Sequence, residues 1–216
     1  GTDNQRRDLT IAMLWGTPVA LTFGIVGAVV TTVTTILIAA FSAWYGGIVD
    51  EILQRITELN IILPALPIAV LVYILYSKSI WVILAIMILM NIFGNSLKEY
   101  RAMFMQFKES PYIEAAMAYG ATDRRIIFTY MLPRIIQVMV PQLVISVPSF
   151  VFLEATLAYL GVVTRYLPTW GKVINMALHN GVFWGIYFWV MEPIVLVMIT
   201  GLAFALVGFA LDKILN

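Results

Sequence analysis

Long uncharged stretches alternate with short charged ones along this chain, and the uncharged stretches set its architecture. A helix needs roughly 20 apolar residues, at about 1.5 Å each, to cross about 30 Å of hydrocarbon. Leu9 to Val49 carries no charge at all, and its part from about Thr17 to Trp44 is dense in Val, Ile, Ala and Thr. Leu59 to Ser77, Ser79 to Leu97, Ile135 to Gly161 and Gly185 to Leu211 are further spans, the last two interrupted only by Glu154 and Glu192. Pro18 is expected to open the first span, Pro64 and Pro67 to kink the second, and Lys78 to mark a tight turn into the third. Val173 to Met191 is also uncharged, but Asn175, His179, Asn180 and Gly181 are costly in lipid. It reads as an external loop, about residues 162–185, with a short helix. After a turn at Gly46 and Gly47, Ile48, Ile52, Ile56 and Leu59 recur at helical spacing opposite Asp50, Glu51, Arg55 and Glu58. That pattern predicts an interfacial helix.

Composition sharpens the picture into an all-α polytopic membrane protein. The chain is 62% hydrophobic and 12% charged, with a mean hydropathy of +0.94, far from the roughly half-apolar, quarter-charged globular average. Residues 1–216 read as one transmembrane domain. A net charge of +1 leaves no concentrated basic surface, which excludes nucleic acid as a partner. With no cysteine and the single His179, no metal site and no bound cofactor are expected. Lys98, Arg101, Lys108, Arg124, Arg125 and Arg134 cluster between the third and fourth spans, so the positive-inside rule puts that connection in the cytoplasm. Five spans then end with the C-terminus inside. The polar start, Gly1 to Thr10, lacks the apolar core of a signal peptide, and a further span is expected to precede it.

The cytoplasmic connection, residues 98–134, contains SPYIEAAMAYGATDRRIIFTYMLP from Ser110 to Pro133. Ser110 can cap a helix with Pro111 at its first position, Glu114 lies in the first turn, and Gly120 suits a left-handed ending. Thr122 or Asp123 can cap a second helix. Ala115, Ala116 and Ala118 keep the short helix slim, while Tyr112, Met117 and Tyr119 offer contact area. The residues alone describe a docking element.

Glu114-Ala115-Ala116, three residues, Gly120, nine residues and Tyr130-Met131-Leu132-Pro133 resemble the EAA loop of ABC-importer permeases. Gly1-Thr2-Asp3-Asn4, Tyr45-Gly46-Gly47 with Asp50-Glu51, Leu153-Glu154-Ala155 with Leu160-Gly161, and Pro168-Thr169-Trp170-Gly171 resemble the dipeptide, oligopeptide and nickel branch of that family. The pattern departs from the branch at Tyr130, where His is usual, at Arg134, where Asn is common, and at Glu192, where an apolar residue is usual. The resemblance implies a type I importer permease fold with one more N-terminal span, in a prokaryotic cytoplasmic membrane. It implies docking through Tyr112, Glu114, Ala115, Ala116, Tyr119, Gly120, Arg124, Leu132 and Pro133 to ATPase subunits. Two of these would bind ATP and Mg, beside a second permease and an external solute-binding protein, for import of peptides, oligosaccharides or nickel. This chain itself has no phosphate loop: Val173 follows Gly171-Lys172 where Ser or Thr is needed, and Tyr166 stands where the first Gly belongs.

A secondary transporter or channel would show the same spans and intramembrane acids, but it has no need of the EAA spacing. A membrane-embedded hydrolase would need a nucleophile with a partner, and the chain has only the loosely spaced Ser96 and Lys98. Glu154 lies about 29 Å beyond Ile135 along a helix, and both it and Glu192 fall in the outer half. There they reach external water or cap backbone, or else line the mouth of the pathway. Asn91 and Asn95, four apart, share one helical face and are expected to bond neighbouring helices or else to contact substrate as pathway residues. Gly24 with Ala28 and Gly181 with Gly185 have small-xxx-small spacing. Phe183, Trp184, Tyr187, Phe188 and Trp189 fit an interfacial belt, and His179 a loop hydrogen bond.

Overall fold

The structure, a computed structural model, describes residues 2, 6–76, 79–162, 169–179 and 188–215. Several readings fall on Gly1, Asp3, Asn4, Lys78, Tyr166, Pro168, Asn180, Gly181, Phe183, Trp184, Gly185 and Tyr187, and lie outside those residues. The rest is helical: α1 (Leu9–Tyr45), α2 (Gly47–Ile62), α3 (Ala65–Leu75), α4 (Ile80–Ile92), α5 (Asn95–Lys108) and α6 (Pro111–Ala118). Then follow α7 (Asp123–Arg125), a π-helical stretch (Ile126–Met131), α8 (Leu132–Tyr159), α9 (Trp170–His179) and α10 (Met191–Leu215). Among the described residues three helical rods are long and apolar enough to cross a membrane, and up to five spans result if each of two bent pairs counts as one.

The first span begins earlier than Pro18. Asp8 caps α1 by accepting from the Ile11 amide at 3.2 Å, and Pro18 sits inside the helix. Its missing N–H leaves the Leu14 carbonyl without the usual i+4 donor. One residue back, Met13 O accepts from the Thr17 hydroxyl at 2.9 Å and from Trp170 Nε1 at 3.3 Å.

The second span is no single kinked helix either. The chain breaks at Leu63–Pro64 with an 84° bend between α2 and α3, because the residue before a proline is driven out of the helical region. The Leu59–Ile62 stretch therefore belongs to α2, whose apolar side leaves Ile48 and Leu59 76% and 66% exposed. The third span also breaks, by 41° at Phe93–Gly94. Asn91 and Asn95 thus stand on either side of a bend and do not share one face.

α1 is the central helix, and two apolar cores form along it. Toward its N-terminal end, Met13, Ala20, Phe23 and Ala28 pack with Ile83, Met87, Val147, Phe150 and Trp170. Toward its C-terminal end, Ile36, Ala40 and Trp44 pack with Leu97, Phe104, Ile113, Ile127 and Ile135. The approach of α8 is set by small residues. A Cβ on Gly24 would lie 2.6 Å from Val151 Cγ2, and one on Gly27 2.5 Å from the Phe150 ring. Ala28, the other half of the small-residue spacing, is fully buried. α10 packs on α8 and turns outward Met198, Leu202, Leu206 and Phe209, each at least 60% exposed, an apolar surface suited to lipid.

Gly27→Val should therefore force Phe150 aside and cost about 1–3 kcal/mol by overpacking. Gly201→Val serves as the control, since its Cβ would meet nothing within 4 Å. Thermal unfolding of the purified chain in detergent should show a lower Tm for the first and little change for the second.

Candidate functional site

The EAA segment forms a short projecting helix, α6, held on a platform of α5 and the π-helical stretch. Pro111 starts it, and Ser110 occupies the N-cap position, but the Ser110 hydroxyl turns back to Gln106 O at 3.2 Å and caps no amide. Two side chains anchor its underside: Ile113 is fully buried and Ala116 is 8% exposed. The opposite side presents Glu114, Ala115, Met117 and Ala118 to the outside. Gly120 ends the helix at φ +79°, a left-handed conformation that a side chain would strain. This turn leaves Tyr119 94% exposed.

The other expected docking residues divide. Arg124 and Pro133 are exposed, and Leu132 is half-buried against the core at the C-terminal end of α1, the inner of the two cores. Tyr112 is turned inward, contrary to its expected place on the contact surface. Its hydroxyl is buried without a partner, and its ring lies 4.9 Å beneath the Arg134 guanidinium, a cation–π contact. The segment after Gly120 starts at Thr122 as expected, yet it is no separate helix. Asp123–Tyr159 is one rod of 37 residues. Pro133 lacks an N–H and its ring would crowd the carbonyl four residues back. The backbone absorbs this with the π stretch just before it, where Leu132 N bonds Ile127 O.

The platform is tied together by charge. Arg101 donates from Nε and Nη2 to the two carboxylate oxygens of Asp50, and the Ser42 hydroxyl also donates to Asp50. One carboxylate thus joins α1, α2 and α5. Side-chain exposure is 15% for Asp50 and 25% for Arg101, so the pair is partly withdrawn from water. The Arg101 hydrogen bonds hold the Asp50 carboxyl below its ordinary value of 3.8, against the upward push of burial. Lys108 Nζ meets the last carbonyls of α1, Ala43 O at 3.3 Å and Trp44 O at 2.7 Å, and lies 5.4 Å over the Trp44 ring. Asn60 Nδ2 donates to Met90 O at 2.7 Å and Phe93 O at 3.0 Å, fastening α2 to the end of α4. These three ties were missed as a group. Tyr45-Gly46-Gly47 with Asp50 drew notice only as part of a motif, and nothing in the sequence pairs Asp50 with Arg101, 51 positions away.

The four candidate pathway residues are not gathered in one place. Glu154 is 3% exposed; it is hydrogen-bonded to the Thr169 side chain, with Oε2 unpartnered. It neither reaches outside water nor lines an open mouth in this conformation, because α9 covers it: Gly171 sits directly against the Ala155 and Ala158 turns of α8. Glu192 is exposed at the start of α10 and opens on a cavity of about 530 Å³ shared with Thr10, Leu14 and Thr17. Asn91 Nδ2 donates to Met87 O of its own helix at 2.8 Å, not to a neighbouring one, and Asn95 is exposed at the start of α5. The expected short helix of the external loop is α9. Its Asn175 Nδ2 donates to Tyr159 O, the end of α8, at 2.7 Å, and His179 Nδ1 lies 2.9 Å from Asn175 O. Among the described residues no cluster of His, Asp and Glu could hold a metal.

The family model described as "Binding-protein-dependent transport system inner membrane component" matches residues 33–216. The chain belongs to that family. Over its whole length this permease is 28% identical to the oligopeptide transport system permease protein OppC of Bacillus subtilis, covering 70% of it. It is 26% identical to the dipeptide transport system permease protein DppC of the same organism, covering 67%. Over 62% of its length it is 33% identical to the inner membrane ABC transporter permease protein YejE of Escherichia coli, covering 39% of that protein.

Removing one partner of the Asp50–Arg101 pair should cost roughly 1–3 kcal/mol, between the values for exposed and fully buried pairs. In a double-mutant cycle, Arg101→Gln should cost clearly less once Asp50→Asn is present. A depressed carboxylate contributes stability above its unfolded pKa and loses it as pH falls through the folded value. Asp50→Asn should therefore flatten the loss of thermal stability seen below about pH 3.8.

Proposed function

We propose that this permease subunit serves an ATP-driven importer of peptides, with the EAA segment and the C-terminus in the cytoplasm. The exposed top of α6, with Tyr119 at its tip, carries this reading. It is a slim, anchored helix whose shape and size suit a groove on another protein. The basic residues around it support a cytoplasmic location, and the peptide permeases among its relatives support the cargo.

On this reading two ATPase subunits bind ATP and Mg and do the hydrolysis, α6 seats in one of them, and a second permease completes the passage. A solute-binding protein delivers cargo from outside. Closure of the ATPases displaces α6. Ile113 lies in the inner core and Ala116 is buried beside it on the underside of α6, so the displacement passes to α5 and to the Asp123–Tyr159 rod, and the passage alternates its opening.

Co-purification tests the docking. Glu114→Arg together with Gly120→Val should reduce the ATPase recovered with solubilised permease by about tenfold or more, as loss of interface anchors does. Phe209→Ala, on the outward face of α10, should leave recovery unchanged. Full recovery with the first variant would overturn the docking role of α6.

A further inference from the structure

The two apolar cores do not meet. On α1 the outer core ends at Ala28 and the inner one begins at Ile36, and Thr31, Thr32 and Thr35 lie between them. On α8, Gln142 and Ser146 fall between Ile135 of the inner core and Val147 of the outer, and Ser149 follows on the turn where the outer core begins. On the α4–α5 pair, Asn91 and Ser96 fall between Met87 and Leu97. These polar residues surround one cavity of about 150 Å³, room for a few waters at about 30 Å³ each. At 1.5 Å per residue the α8 members stand about 15–25 Å along that helix, deep within a membrane-spanning rod.

Two further observations show which way the belt faces. Asn91, Gln142 and Ser149 are exposed, and amides facing hydrocarbon would be costly. The Thr31 hydroxyl is buried without a partner beside the cavity, as a group that bonds water or a passing solute would be. The outward face of α10 has the opposite, wholly apolar character. The lining also lacks charge: its one titratable residue is Tyr100, 4% exposed. Amide and hydroxyl side chains both donate and accept, so they can match main-chain amides or sugar hydroxyls, but they offer no counter-ion to a charged side chain.

We infer that Thr31, Thr35, Asn91, Gln142, Ser146 and Ser149 form the wall of the translocation passage, and that the wall meets cargo through neutral hydrogen bonds alone. This rests on the import reading above. It makes passage indifferent to the charge of the cargo's side groups, so the belt holds weakly and releases. Glu154, sealed beneath α9, has no part in it.

The chain contains no cysteine, so single cysteines report water access directly. In the full transporter, with its partners made cysteine-free, Ser146→Cys and Ser149→Cys should react with a membrane-impermeant methanethiosulfonate about ten times faster or more than Leu206→Cys on the apolar face. Their rates should also change when ATP and vanadate trap the ATPases. Equal rates at Ser146→Cys and Leu206→Cys would overturn the passage assignment. The charge claim is read with three tripeptides, Ala-Ala-Ala, Ala-Lys-Ala and Ala-Glu-Ala, and with a neutral trisaccharide as the hydroxyl-bearing probe. Among the probes imported, charge should change uptake by less than about threefold, and Gln142→Glu should then favour lysine over glutamate by about tenfold. A native preference of that size, or no response to Gln142→Glu, would overturn the neutral-contact claim. An ATPase that fails to co-purify even with the unmodified chain would instead sink the import reading, whatever the labelling shows.

Discussion

Hydrocarbon offers no partner to a polar group, and this constraint organises the molecule. The polar side chains at the ends and breaks of the helices bond to backbone carbonyls that the helices leave open. Lys108 takes the last carbonyls of α1, Asn60 those at the end of α4, and Asn175 the end of α8. Trp170 bonds a carbonyl next to the Pro18 irregularity. Asp50 and Arg101, both ionic, neutralise one another where three helices meet. Each bond therefore satisfies an atom and fixes the position of a helix end.

The middle is polar, with the Thr35 hydroxyl donating to Ile92 O between α1 and α4 at 3.4 Å. There the contacts between the two apolar cores give way to hydroxyls and amides, and the same level carries the Gly94 bend together with Pro141 and Pro148 inside α8. Prolines remove hydrogen bonds from a helix and make bending easier. A polar belt bounded by two well-packed cores is thus suited to changing shape while each core moves as a unit, the arrangement that alternating access requires.

Much of this was readable beforehand. Uninterrupted apolar runs located the spans because few other structures tolerate them, and the EAA spacing located α6 because Pro111 at its start and Gly120 at its end act locally. The amphipathic period of Ile48 to Leu59 found α2 for the same reason. Less local features escaped. The breaks at Leu63–Pro64 and Phe93–Gly94 separate residues that a helical wheel places together, so Asn91 and Asn95 seemed paired. Tyr112 looked like contact area, but whether an aromatic faces out depends on the core below it. For Glu154 the sequence allows outside water, a backbone cap or the pathway mouth, because depth alone cannot reveal that a separate helix, α9, covers it. The Thr31–Gln142–Ser146 belt went unnoticed since each residue is unremarkable alone and the three meet only in the folded chain.

The π stretch before Pro133 has a mechanical consequence. A proline met head-on would ordinarily kink or end a helix, leaving α6 joined to the span by a joint that yields under load. By widening a single turn, the backbone keeps the helix continuous past Pro133, from beside the α6 tip to the polar belt that begins after Pro141. On the import reading, a push of a few ångströms at that foot arrives at the belt as leverage rather than as slack.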